Sequence, residues 1–198
     1  MRYFAFLLLL IAAPAVAEQP LPPQSHKAAY AIGPGSTATY EAEVMVLYFL
    51  PFTIRGNSGK VAGSIGIDGA GSCRVNVDAA SFSSGHDKRD KRVREILETG
   101  RFPTVEFVLA SVGPLSPDDP STYAGAKKVR GNLTIRGITK EVSFPGTVKK
   151  QGESYLIDGG VELKYADFGV QTPAPAGMVS WVADHLLLKA HLVAVPAR

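Results

Sequence analysis

Four histidines and a single cysteine are the side chains of this chain best suited to metal binding or nucleophilic chemistry. His26 lies in a proline-rich lead-in, and His86 adjoins Asp87. His185 and His191 share a parity but stand six residues apart, too far to chelate one ion directly. A lone Cys73 permits neither an intramolecular disulfide nor a multi-cysteine zinc site. It shares parity with Val75 and Val77, so it reads as a small buried hydrophobe rather than a reactive thiol. His86-Asp87 is half of a catalytic relay in search of a serine, yet no Gly-x-Ser-x-Gly turn accompanies it. These residues assign no catalytic group, no metal and no cofactor.

Charge gives the next constraint. The run from Lys88 to Glu98 (KRDKRVREILE) places Val93, Ile96 and Leu97 at helical spacing and charges elsewhere. It predicts one short amphipathic helix over about 88–98, ended by Gly100 and Pro103. Its cations alternate with Asp87, Asp90, Glu95 and Glu98. That is a solvated face with i,i+4 pairs, not a nucleic-acid surface. Two roles suit it: an Arg89–Asp90 pair fixing the helix to the body, or a helix over a barrel mouth that draws anionic head groups or a membrane surface.

The elements that must position these residues are mostly strands. A composition of 45% hydrophobic and 20% charged residues is that of a globular chain. Arg2, the apolar run Tyr3 to Ala13 and the small residues Ala15-Val16-Ala17 form a secretory signal pattern over 1–17. Cleavage there predicts periplasmic export and lowers the formal charge from +3 to +2, because Arg2 alone is lost. Residues 18–27 read as an extended lead-in, and 28–198 as one domain. Within it, apolar residues alternate with period two. Tyr40 through Tyr48, Val61 to Ile67, Val75 to Ala79 and Val105 to Leu109 each carry such a set. So do Val129 to Ile135, Val142 to Val148, Tyr155 to Leu163 and Leu186 to Leu192.

Eight strands with one apolar face each predict an all-β fold: an eight-stranded antiparallel barrel, its helix between the third and fourth strands. Glu41, Glu43, Arg130, Asn132, Arg136, Glu162 and Lys164 occupy the outward parity. That excludes a lipid-embedded barrel, which needs an outward apolar band. The inward parity includes Ala42, Gly63, Ala79, Gly131, Gly159 and Ala190. Small inward residues leave room for a ligand unless neighbouring rings fill it.

Two longer patterns carry a family resemblance. One is Ser84-Gly85, Arg89-Asp90-x-x-Val93-Arg94 and Arg101-Phe102-Pro103-Thr104-Val105-Glu106-Phe107. The other is Gly131-Asn132-Leu133-Thr134-Ile135-Arg136-Gly137-Ile138-Thr139-Lys140-Glu141-Val142. With Asp167-Phe168-Gly169 and Asp184 they resemble the YceI-like family of bacterial periplasmic lipid-binding proteins, over roughly Thr37 to Val193. The resemblance implies a lipocalin-like barrel with a long hydrophobic tunnel for a polyisoprenoid, such as a quinone tail, or another long-chain amphiphile. Two positions depart from the family pattern. Arg92-Val93 stands where members often have a histidine and leucine, and Tyr165 where they often have arginine before Asp-Phe-Gly.

The expected function is therefore a non-enzymatic periplasmic carrier or store for an isoprenoid-like lipid. The alternatives are a small exported hydrolase on a barrel scaffold and a filled-barrel interaction protein. Candidate lining residues are Tyr40, Val44, Val46, Ile65, Val75, Phe107, Leu133, Phe144, Leu163 and Leu188, with Trp181 in another part of the tunnel. The stretch Val44 to Phe52 (VMVLYFLPF) is apolar on both parities. It reads either as a strand running into a buried loop, or as a lip for lipid entry or for pairing with a second copy.

Overall fold

Alternating apolar residues close on themselves here because each strand has one face to bury and two edges to pair. The computed structural model describes residues 28–66, 73–114, 126–175 and 177–197. Ten strand segments run in chain order: β1 (Ala28–Ile32), β2 (Thr37–Val46), β3 (Leu50–Ser58), β4 (Val61–Gly66) and β5 (Cys73–Asp78) come first. β6 (Thr104–Pro114), β7 (Lys127–Ile135), β8 (Ile138–Gln151), β9 (Ser154–Lys164) and β10 (Val179–Pro196) complete the set. All pairings are antiparallel.

The ten segments make an eight-stranded barrel because two strands are broken. β1 and β2 lie end to end along β10, and β4 and β3 lie end to end along them. The ring closes where Tyr30, Ala31 and Ile32 meet Pro196, Val195 and Ala194. Each break is mended by a buried serine, since an interrupted ladder leaves backbone groups without partners. At the first, Gly33 N–H donates to the Val193 carbonyl at 2.7 Å. Ser36 Oγ accepts from Val193 N–H at 2.9 Å and donates to the Gly33 carbonyl at 2.8 Å. At the second, Ser58 Oγ accepts from Lys60 N–H at 3.1 Å and meets Ser81 Oγ at 2.6 Å.

The helix α1 spans Asp87–Ile96 between β5 and β6, the third and fourth barrel strands. It stops before Gly100. Leu97 caps its C-terminus and Glu98 takes the left-handed position (φ 49°) that glycine usually fills. Thr99 N–H donates to the Arg94 carbonyl and Glu98 N–H to the Glu95 carbonyl, both at 3.1 Å. Glu98 also pairs with Arg136, itself left-handed in the β7–β8 turn. The Arg136 guanidinium reaches the Gly169 carbonyl as well, so one residue ties the helix end to the turn after β9.

Arg89 and Asp90 do not pair with each other. Both hold Ser84 instead. Asp90 is 5% exposed and accepts from Ser83 Oγ and Ser84 N–H, each at 2.8 Å. Arg89 Nε donates to Ser84 Oγ at 2.7 Å. Burial alone would raise the Asp90 carboxyl. The hydrogen bonds from Ser84 and Ser83, and the Arg89 charge, outweigh it and hold the group below the ordinary range.

Two expectations about strands are corrected. Tyr48 does not continue the inward set of β2; it sits in the turn after it and is 87% exposed. Leu50 to Ser58 is a strand, not a buried loop. The expected signal pattern over 1–17 and the lead-in over 18–27 lie outside the described residues.

Candidate ligand cavity

Inward side chains from eight strands converge on an apolar interior that they do not fill. The larger cavity measures about 470 Å³ and its wall is almost wholly apolar. It runs from Phe107, Leu133 and Leu188 to Tyr30, Tyr155 and Ala194. Val112 and Val148, which also line it, are 55% and 59% exposed, so the cavity reaches the surface beside them. A second cavity of about 120 Å³ lies under the helix, walled by Val93, Ile96 and Leu97 on one side and Leu163, Phe168 and Leu186 on the other. Leu188 belongs to both. The two compartments thus lie end to end along the strands, with Val105 and Ile135 on one side of the junction and Phe107 and Leu133 on the other.

Glycines keep the lumen open. Tyr40, Phe107 and Phe144 are large enough to block it, yet each ring lies against a neighbouring strand where a glycine stands. A Cβ on Gly56 would strike the Tyr40 ring, one on Gly131 the Phe107 ring, and one on Gly159 the Phe144 ring at 2.8 Å. Gly56 is directly opposite Tyr40, and Gly131 and Gly159 are diagonal to their rings across the strand pair. Phe107 and Phe144 then meet each other at 5.6 Å between centroids. Rings flattened onto the wall leave the axis of the barrel empty.

The polar groups near the smaller cavity are few. Tyr40 Oη is buried on the side of Ser84 and Arg89. Burial raises the phenols of both Tyr40 and Tyr165, so both are neutral donors at ordinary pH. Of the positions that depart from the family pattern, Val93 and Tyr165 face the same compartment, whereas Arg92 is exposed and pairs with Glu95. In the larger cavity, burial pushes the Cys73 thiol up to about 11.

The histidines lie elsewhere. His185 meets Asp184 at 3.0 Å and His191 meets Asp158 at 2.6 Å, both on the outer surface, while His86 lies beside Arg89. Hydrogen bonding to Asp184 raises the His185 imidazole above its usual value. The outer wall also carries Glu41 between Arg55 and Lys189, each at 2.9 Å, and the pair Arg74–Glu106.

Of the residues expected to line a tunnel, Ile65, Val75, Phe107, Leu133, Phe144 and Leu188 wall the larger cavity. Tyr40 and Leu163 wall the smaller one. Val44 is buried and Val46 half-buried near the end of β2, and neither lines these two cavities. Trp181 stands opposite Met45, 52% exposed, and lines neither of the two cavities. Reasoning from sequence left out Tyr30, Val112 and the 165–173 segment. The alternation carries a signal for Val129, Ile157, Val161 and Leu192, which share parity with Leu133, Leu163 and Leu188 on their strands.

Comparison with known proteins agrees with this architecture. The YceI-like domain model matches residues 30–194, so the chain belongs to the YceI-like family. A UPF0312 protein of Azotobacter vinelandii is 34% identical over 110 residues, which are 52% of this chain and 54% of that protein. One from Pseudomonas fluorescens is 30% identical over the same length and shares. The chain thus spans about half the length of the curated relatives it matches. Among solved structures, BcnA of Burkholderia cenocepacia aligns with a TM-score of 0.61 at 24% identity, covering 80% of this chain and 95% of that one. A polyisoprenoid binding domain from Saccharophagus degradans, described as implicated in plant cell wall breakdown, aligns at 0.65 and 14% identity, covering 86% and 100%. At those identities the likeness is one of fold.

Proposed function

We propose that this protein binds an isoprenoid-like lipid, or another long-chain amphiphile, and carries or stores it in the periplasm without chemical change. The observation that carries the reading is the unfilled, apolar cavity of about 470 Å³, which has the size of a small-molecule site and very little polar wall. Such a wall selects for hydrocarbon. Each methylene moved from water into it contributes about 0.8 kcal/mol, and no polar contact is needed along the tail. The polyisoprenoid binding described for the Saccharophagus degradans domain supports the choice of ligand class. The export pattern in residues 1–17 supports the compartment.

The test is organic extraction of protein purified from a periplasm, with mass spectrometry of the extract and a mock-purified control. The expected result is a near-stoichiometric long-chain lipid that is lost in a folded Val75→Trp variant, whose ring enters the larger cavity. A clean extract with no uptake of added prenyl lipid refutes the reading. Ester turnover without retained lipid would favour the hydrolase instead. Cell fractionation, with an intact mass beginning at Glu18, tests export.

A further inference from the structure

The apex of the β2–β3 hairpin and the start of β10 form a wedge that none of the described residues covers. Leu47, Tyr48, Phe49 and Phe52 are 50%, 87%, 74% and 57% exposed, and Met178 and Trp181 are 69% and 52% exposed. The register joins them: Val46 faces Leu50, Val44 faces Phe52 and Met45 faces Trp181. Strand alternation then puts Met45 and Trp181 on one face, and Val44 and Phe52 on the other. No charged residue occurs from Val44 to Ile54.

Two further features set this wedge apart from an ordinary exposed turn. Leu47 and Tyr48 are the central residues of a turn closed by Phe49 N–H to the Val46 carbonyl at 3.3 Å, with φ of 51° and 67°. That geometry is the one Asn-Gly serves; a leucine and a tyrosine hold it only against backbone strain. The apex amides are also all satisfied from within. Leu47 N–H donates to the Met178 carbonyl at 3.0 Å, and Tyr48 N–H to Ser180 Oγ at 2.8 Å. Ser180 in turn donates to the Met45 carbonyl at 3.0 Å. A turn facing water has no need to retire its donors, whereas one entering hydrocarbon must.

We infer that this wedge inserts into the surface of a lipid bilayer. A partner protein, or a second copy, covers one side of a surface. A projecting hairpin that is apolar on both faces, with Trp and Tyr at its rim and its amides internally paired, fits a medium that surrounds it. The wedge does not depend on what the cavity holds, so this inference stands apart from the proposed ligand.

Trp181 is the only tryptophan in the chain, which makes the wedge its own reporter. The test adds vesicles of phosphatidylethanolamine and phosphatidylglycerol, free of isoprenoids, to the full chain and follows Trp181 emission. A blue shift is expected, with quenching by brominated acyl chains. Phe49→Asp should weaken partitioning about ten- to a hundredfold, the value of one buried aromatic side chain. Residues 1–17 are the same in every variant, so any tether they supply cancels in the comparison. The double substitution Leu47→Asn with Tyr48→Gly should raise Tm by about 2–8 °C, by relieving the turn, while abolishing the shift. An unshifted wild type overturns the inference. So does a shift that appears without vesicles, grows with protein concentration and is lost in Phe49→Asp, which would mark a dimer interface.

Discussion

Two of the glycines under the cavity rings should respond to the same substitution in different ways. A Cβ on Gly159 would lie 2.8 and 3.2 Å from two atoms of the Phe144 ring, with the nearest backbone oxygen at 3.8 Å. Ordinary carbon contacts sit at about 3.5–4.0 Å, so the ring must retreat by roughly 0.7 Å. Behind it is empty cavity. Gly159→Ala therefore meets little resistance, and the entropy it removes from the unfolded chain, about 0.4–1 kcal/mol, offsets what strain remains. Stability should change by less than about 1 kcal/mol. Ligand should not escape so lightly. The displaced ring takes the place of one or two methylenes, about 0.8 kcal/mol each, which weakens lipid binding roughly four- to fifteenfold. Gly131 differs because the Val108 carbonyl oxygen stands 2.5 Å from its would-be Cβ, and backbone cannot swing aside. Gly131→Ala should cost about 1–3 kcal/mol of stability. Denaturant unfolding of both variants, with titration of a fluorescent prenyl lipid, checks the pair. If Gly159→Ala proves the less stable variant, or binds as tightly as wild type, the rings are not held off the axis by glycine.

Cys73 should resist a disulfide-exchange reagent at pH 8 in the native protein and react on unfolding, since burial pushes its thiol up to about 11 and keeps it protonated; rapid native labelling would show the larger cavity to be open there. Asp90→Asn should cost about 1–3 kcal/mol at pH 7, because an amide presents one acceptor where Ser83 and Ser84 need two. The native Asp90 carboxyl is depressed, so its contribution is full above about pH 4 and disappears as pH falls through the native value. Chemical denaturation across pH 3–7 should then show the two proteins converging in acid, and a constant gap would refute this. Leu188→Trp, at the junction of the two cavities, should leave short chains bound in the larger cavity and exclude any chain long enough to enter the smaller one; mass spectrometry of extracted lipid lengths decides.

Much of the barrel was legible because an antiparallel wall exposed on one face writes its burial into a period of two. β7 reads plainly, with Leu133 inward between Asn132 and Thr134. The helix was legible for the complementary reason, three apolar residues at helical spacing in a charged run. Where burial has no single direction the pattern fails. β3 begins with Leu50, Pro51 and Phe52, exposed on both faces, so no alternation announces it. Trp181 was placed by residue type, because two shifts of register in β10, around Trp181 and between Val182 and Leu186, make parity uncountable from the regular end of the strand. The left-handed Glu98 was hidden behind Gly100, the residue type that usually takes such a place. What no periodicity conveys is that Tyr40, Phe107 and Phe144 lie flat, since that depends on which residue stands across the sheet.

The seam at β10 has a kinetic consequence. That strand pairs with β9, β2 and β1, and the contact that closes the ring joins Tyr30 to Pro196, near the two ends of the chain. Closure of a pair so far apart in sequence must follow the pairing of the strands between them, and its high contact order makes that step slow. Until then the barrel is an open sheet with its apolar face uncovered. Hydrocarbon present at that moment can be wrapped sideways rather than threaded through a mouth, so cargo acquired during folding and cargo exchanged afterwards would differ in origin and in rate of release.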